Sequence, residues 1–221
     1  SLDAEKIAKA SDDPYFKPGS HGTIIEVKDW WPQGNANSGF VQKLVQYGLP
    51  KIREEIGRRY ATILRKGEIK IFINEGKCEA YEHCVWDDSR YVVRKSGNVP
   101  AVMRFDQVVG STKRCGTCTA ILGTSDTCCP SCGSTKIRTV EERVRGWIGI
   151  QRFDSDTDFG IDLIRNGRAI RIGEKNAFFE YVDEFKHVTK DYPIDSQYGR
   201  IVGEINLDFV PVDFLKQDFQ R

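Results

Sequence analysis

The stretch Gly199-Arg-Ile-Val-Gly-Glu-Ile-Asn-Leu-Asp-Phe209 sets Ile201, Gly203, Ile205, Leu207 and Phe209 at every second position. Successive side chains of an extended chain point to opposite faces, so this period of two predicts a strand, and it runs directly into Pro211. Upstream, Phe159, Ile161 and Leu163 alternate up to Asn166-Gly167, a dipeptide suited to a tight hairpin turn that needs positive φ, and Arg168 to Ile172 returns. Further back, residues 140–153 read as a strand whose firmest part is Trp147-Ile-Gly-Ile150, and residues 99–109 supply another. Ile69, Ile71 and Ile73 alternate as well, and Thr23 to Trp30 puts Ile25 and Val27 on one face with charges opposite. Helical spacing occurs in one block. Phe40, Val41, Leu44 and Val45 form a short stripe that Gly48-Leu49-Pro50 interrupts; Leu49, Ile52, Ile56, Tyr60 and Ile63 then recur at three and four, ending near Lys66-Gly67. The turn-rich segment 32–39 and the mixed segment 77–95 carry no such pattern. The fold class expected is α+β, one mixed sheet with helices packed on one face.

Composition bounds the function classes. With 33 Lys plus Arg against 32 Asp plus Glu, no global field steers the 221-residue chain toward nucleic acid or a membrane, so such contacts must be local. No apolar run approaches the length of a membrane span and no secretory leader opens the chain, which leads us to expect a cytoplasmic protein. The chain opens at Ser1-Leu2 without a methionine, and residues 1–21 are polar; we expect a loose lead-in on a piece of a longer protein. A phosphate loop of the G-x-x-x-x-G-K-[ST] form is missing, as are a G-x-S-x-G elbow and an H-E-x-x-H pair.

Five of the seven cysteines fall in Cys115-Gly-Thr-Cys118 and Cys128-Cys-Pro-Ser-Cys-Gly133. Two C-x-x-C knuckles bring four thiolates to one centre, a tetrahedral set that zinc accepts without redox chemistry. The expected ligands are Cys115, Cys118, Cys129 and Cys132, with Cys128 a bystander, and a closed four-cysteine site is structural because it keeps no position for substrate. Cys78 and Cys84 flank His83 at a spacing that fits no common metal site, and we read them as ordinary cysteines. Basic residues surround the knuckles: Arg104, Lys113, Arg114, Lys136, Arg138, Arg143 and Arg145, against Asp106, Asp126, Glu141 and Glu142. Four thiolates on one divalent zinc carry a formal charge of about minus two, which cancels most of that excess. DNA contact by the ribbon is therefore the alternative, and a stabilising or protein-docking insert the plainer account.

The chain's last segment, Pro211-Val-Asp-Phe-Leu-Lys-Gln-Asp-Phe219, follows a strand with a lysine in a Lys-Gln-Asp-Phe setting. It resembles the segment with which MORC-type ATPases of the gyrase, heat-shock chaperone, histidine kinase and MutL superfamily (GHKL) reach ATP from a second, transducer domain. The likeness extends to His21-Gly-Thr-Ile-Ile-Glu-Val27, to Val144-Arg-Gly-Trp-Ile-Gly149, to Gly160-Ile-Asp-Leu-Ile-Arg-Asn-Gly-Arg168 and to Gly199 through Asp208, in the family's order. It covers residues 19–75 and 139–221; Trp30-Trp31-Pro32 and the inserted ribbon depart from the pattern.

The resemblance implies a transducer of the ribosomal protein S5 domain 2 type with a left-handed crossover. Its domain plan would be a lead-in over 1–21, a first transducer part over 22–110, the zinc ribbon over 111–138 and a second part over 139–221. It further implies that Lys216 meets the γ-phosphate of an ATP whose magnesium and general base belong to a separate N-terminal ATPase domain, with Gln217 adding a hydrogen bond, and that the whole is a DNA-related homodimeric clamp. Asp218 would fix the loop. A rival class, a hydrolase built on Asp154, Asp156 and Asp158, lacks the glycine and distal glutamate of a calcium loop.

Overall fold

The computed structural model describes residues 22–25, 38–74, 76–175, 180–182, 184–190 and 199–219. The chain divides into two compact units, Ser1–Gly48 and Leu49–Arg221. Residues 22–25 form no strand, and Ile24 and Ile25 are exposed. An alternating run without a paired neighbour has no ladder to hold it extended, so the strand expected from Thr23 is absent there; residues 26–37, with Trp30-Trp31-Pro32, lie outside the described residues.

The helical block is parted where its sequence breaks the pattern. Helix α1 (Ser38–Arg59) leaves helical geometry at Gly48, whose φ of 73° and ψ of 157° precede Leu49-Pro50. In the second unit its residues Ile52 and Ile56 are half-buried while Glu54 and Glu55 face water. A five-residue helix, α2 (Ala61–Arg65), continues the block and stops at Gly67, which has φ of 72° and donates to the Leu64 carbonyl. Gly57 is where the following chain comes closest: a Cβ there would lie 2.1 Å from the Glu79 carbonyl oxygen, and Tyr81 N–H donates to the Gly57 carbonyl at 3.2 Å.

Ile69 to Ile73 supplies far less strand than its alternation predicts. Only β1 (Phe72–Ile73) pairs, with β2 (Gly76–Lys77), and Ile69 is exposed. Residues 77–95, which carry no periodicity, run from Cys78 to Val85 within the second unit and end in β3 (Tyr91–Arg94), which pairs with β4 (Gly97–Pro100) in a hairpin whose strand residues are all exposed.

The central sheet is mixed. It contains β5 (Val102–Cys115), β6 (Ile137–Ser155), β7 (Gly160–Arg165), β8 (Arg168–Glu174) and β11 (Gly199–Asn206) in the order β5-β6-β11-β7-β8. All pairs are antiparallel except β7 with β11. A further pair, β9 (Glu180–Val182) with β10 (Val188–Lys190), stands apart from it. In place of a single sheet, the described residues therefore hold a five-stranded one and three two-stranded ribbons. The β7–β8 turn is Asn166-Gly167, with φ of 48° and 77°, and the Ile63 side chain of α2 sits where a Cβ of Gly167 would be. Contact between α2 and β8 places helix against one edge of the sheet.

Strand β11 ends at Asn206; Leu207 follows it with its N–H on the Ile164 carbonyl of β7, and Phe209 of the alternating stripe falls in a turn. Both faces of β7 and β11 are covered. Phe159, Ile161, Ile164, Ala169, Ile170, Val202 and Ile205 are buried, and so are Asp162 and Glu204. These carboxylates survive burial by being partnered: Arg65 of α2 donates to both oxygens of Glu204 at 2.6 and 2.5 Å, and Gly173 N–H donates to Asp162 Oδ1 at 2.7 Å. No helix among the described residues is long and apolar enough to cross a membrane.

Candidate metal centre

Strands β5 and β6 pair without interruption from Val102–Gly149 to Cys115–Ile137, apart from a bulge between Val108 and Gly110, and the cysteine-rich segment closes their far end. The insert expected over 111–138 is thus the tip of an arm whose strands belong to the sheet. At that tip the sulfurs of Cys115, Cys118, Cys129 and Cys132 lie within 4.8 Å of one another, with Cys115···Cys132 at 3.6 Å and Cys118···Cys129 at 3.5 Å. Disulfide sulfurs would stand about 2.05 Å apart. Four sulfurs arranged tetrahedrally around zinc at about 2.3 Å would be about 3.8 Å apart, so the donor set fits that ion.

Local backbone geometry explains the convergence. Thr117 and Cys118 N–H groups point at Cys115 Sγ at 3.3 and 3.5 Å, and each knuckle is followed by a residue of positive φ, Thr119 at 62° and Gly133 at 68°. Cys115 N–H donates to Ala120, Gly116 N–H to Lys136 and Cys129 N–H to Ser134, while the Thr117 and Ser134 hydroxyls bond at 2.9 Å and join the two knuckles. Cys115, Leu122 and Cys129 are buried, with Ala120 and Ile137 packed against them.

The N–H groups of Cys118 and Thr117 draw the Cys115 thiol down to about 6. Burial pushes Cys129 up, yet the N–H groups of Cys132 and Ser131 bring it below its ordinary value. Ser134 N–H favours the Cys132 thiolate, but the neighbouring Cys118 and Cys115 sulfurs override it and push that thiol up to about 12. A divalent cation removes this conflict by stabilising all four thiolates together. An ion held by all four sulfurs would keep no open position, as in a structural site.

The other cysteines stay out of this centre. Cys128 and Cys84 are exposed, and Cys78 is buried, with burial pushing its thiol up. No other group of three or more metal-ligating side chains converges among the described residues. The aspartates of the rival hydrolase reading form no cluster among the described residues, and two of the three have other partners: Asp154 takes the Arg200 guanidinium at 2.6 and 2.8 Å, and Asp158 meets Arg58 at 2.8 Å and the Tyr81 hydroxyl.

Around the arm, Arg104, Arg143 and Arg145 are consumed by Asp88, by Asp106 with Glu141, and by Asp208. Lys113 donates to the Thr124 carbonyl and Arg114 to the Phe209 carbonyl. Arg114 stands directly opposite Arg138 in the ladder.

Lys216 lies on a closed loop. Val212 bridges to Phe219, Asp213 N–H donates to the Asp218 carbonyl, and the Asp213 carboxylate accepts Gln217 N–H at 2.7 Å. Asp218 is held by Arg171 at 2.7 and 2.6 Å. Lys216 has φ of 54° and is exposed, and its ammonium makes no ion pair or hydrogen bond among the described residues; Gln217 is exposed beside it. Sequence reasoning passed over His83 as a possible site residue. Its side chain is 1 % exposed and faces Asp162 and Trp147, but a lone histidine in an aperiodic segment gives no signal of that. No family model, curated protein or solved structure matches this chain.

Proposed function

We propose that the chain is a zinc-stabilised binding module that docks a protein partner along the ribbon-tipped arm. The carrying observation is the four-sulfur centre at the end of the paired strands β5 and β6, which fixes a rigid projecting element and offers no reaction site. Charge favours protein over DNA as the partner. Three of the seven arginines and lysines around the arm are spent on carboxylates, and the formal charge of the remaining four, Lys113, Arg114, Lys136 and Arg138, is offset by that of Asp126, Glu142 and a minus-two zinc–thiolate centre. Strand β5 is an edge of the sheet, and Met103, Val108, Val109 and Ile121 are exposed along it and the ribbon. Residues 120–122 bond to β5 at Lys113 and Cys115, and the part of the edge before them, with its apolar side chains, suits an added strand.

The test pairs two measurements. A photo-crosslinking residue at Ile121 in cells should give adducts that protease removes and nuclease does not. Duplex DNA should bind weakly, without a steep salt slope. DNA binding that falls steeply with salt and is lost in Lys113→Glu with Arg114→Glu would overturn the protein assignment in favour of nucleic acid.

The exposed ammonium of Lys216 on its braced loop favours a second reading, the one that the MORC resemblance implies. Under it the chain is the transducer of a GHKL ATPase, and Lys216 reports the γ-phosphate held with magnesium by an N-terminal ATPase domain. A point charge on a flexible stem is the group such a task needs, and the Arg171–Asp218 pair keeps its backbone in place without neutralising it. In the full-length protein, Lys216→Ala should slow ATP hydrolysis by about a hundredfold or more and leave zinc content unchanged. Unchanged turnover would remove this reading.

A further inference from the structure

Three strands of the sheet each bring an arginine to the turn over residues 207–210, which is closed by Val210 N–H on the Leu207 carbonyl at 3.1 Å. Arg114 of β5 donates to the Phe209 carbonyl at 3.3 Å, Arg165 of β7 to the Asp208 carbonyl at 3.4 Å, and Arg145 of β6 to the Asp208 carboxylate at 3.1 Å. Register sets two more beside them. Arg138 stands directly opposite Arg114 in the β5–β6 ladder, and Arg168 directly opposite Arg165 across the Asn166-Gly167 turn. Directly opposed side chains share a face of the ladder, where like charges are destabilising until an anion joins them.

The chain returns little negative charge to this group. Asp208 is its one carboxylate, shared between Arg145 and the Asn166 N–H, and Arg114, Arg138, Arg165 and Arg168 enter no ion pair among the described residues. The formal balance of the whole arm hides this local excess, because Asp126 accepts the Gly123 N–H and Glu142 the Thr112 hydroxyl. The donors are also open. Both carbonyl bonds are longer than the usual range of about 2.7–3.2 Å. The other guanidinium nitrogens of Arg114 and Arg165 make no hydrogen bond among the described residues and reach solvent, whereas Arg168 Nε is buried without a partner. Bracing the turn therefore uses only a small part of what these side chains offer. The patch is short as well: the thiols of the tip begin at Cys115, next to Arg114, and Asp106 with Glu141 holds Arg143 on the other side. A duplex presents unbroken charge, about one per 1.7 Å of axis, which such a patch cannot follow. A few carboxylates suit it, since each guanidinium can take one through two parallel bonds.

We propose that this arginine patch receives an acidic segment of the protein partner, a short run of Asp or Glu side chains. The inference rests on the protein-docking reading above and names the chemistry of that partner. The zinc-loaded chain is titrated by calorimetry with a hexaglutamate peptide, a hexaglutamine peptide, inorganic phosphate and a single-stranded hexanucleotide. Hexaglutamate should saturate at one site below about 1 mM, with hexaglutamine silent and the other two weaker. Arg114→Gln with Arg165→Gln should weaken hexaglutamate at least tenfold. Should that pair fail to fold, the exposed Arg138→Gln alone should weaken it severalfold. Arg94→Gln with Lys95→Gln, on the exposed β3–β4 hairpin, should leave it within twofold. No saturable hexaglutamate binding, an equal loss in the hairpin variant, or tighter binding of the hexanucleotide or of phosphate would overturn the assignment. Protease-sensitive adducts at Ile121 together with silent hexaglutamate would overturn this inference alone, whereas nuclease-sensitive adducts would overturn the docking reading with it.

Discussion

The ribbon tip and the central sheet solve the same problem by opposite means. The tip buries only Cys115, Leu122 and Cys129, too little apolar surface to order a loop of this length, and it gathers four sulfurs instead. The sheet buries Phe159, Ile161, Ile164, Ile170, Val202 and Ile205, and two partnered acidic side chains lie inside it. Converging thiols and apolar burial thus mark the two ends of one continuous ladder, β5 and β6 being shared by both.

Removing the metal should break the comparison most strongly. Chelation of the zinc-loaded chain, or Cys129→Ser, should unfold residues 115–137 while amide protection persists in β7, β8 and β11, read by hydrogen exchange. Loss of protection in both regions together would mean that the sheet also depends on the ion. The converse perturbation is Arg65→Ala, which strands the buried Glu204 carboxylate. It should cost about 3–5 kcal/mol in denaturant unfolding of the sheet and leave the affinity for zinc unchanged.

A smaller effect is expected at the helix. Gly57→Ala forces a methyl group against the Glu79 carbonyl and should cost about 1–3 kcal/mol, again without touching metal content. The smallest sharpens the ribbon side. Thr119 is a β-branched residue at φ of 62°, so Thr119→Gly should relieve about 1 kcal/mol of strain or less, offset by the lost hydroxyl bond to the Cys118 carbonyl, and raise the thermal midpoint of the ribbon slightly. Gly133→Val, at φ of 68°, should lower that midpoint.

The two regions also differ in how far they can be read from the chain. A C-x-x-C knuckle is local: the residues that make it lie within a few positions, and spacing alone brings Cys115 to Cys118 and Cys129 to Cys132. The Asn166-Gly167 turn is legible for the same reason. Asp162 and Glu204 are not, because the alternation that marks their neighbours as core assigns them to a solvent face. Burial becomes tolerable only through Arg65, 139 residues from Glu204, and through Gly173 N–H. Ile69 to Ile73 misleads in the other direction: apolar alternation proposes a strand, but only Phe72 and Ile73 form one. Residues 77–95 have no period because Tyr81 bonds to a helix carbonyl and His83 packs on the sheet, so no single repeating neighbour shapes them. Lys216 could be picked out only by likeness to a known family, since one exposed lysine carries no pattern of its own.

Metal content measured together with exchange at the tip tests the separation most directly. Elemental analysis of the chain purified under reducing conditions should find about one zinc per molecule, and its removal should abolish amide protection across the tip, Cys115, Gly116 and Cys129 included, while β7, β8 and β11 stay protected. A metal-free chain with those amides fully protected, or one whose knuckles are joined by disulfides, would contradict the account.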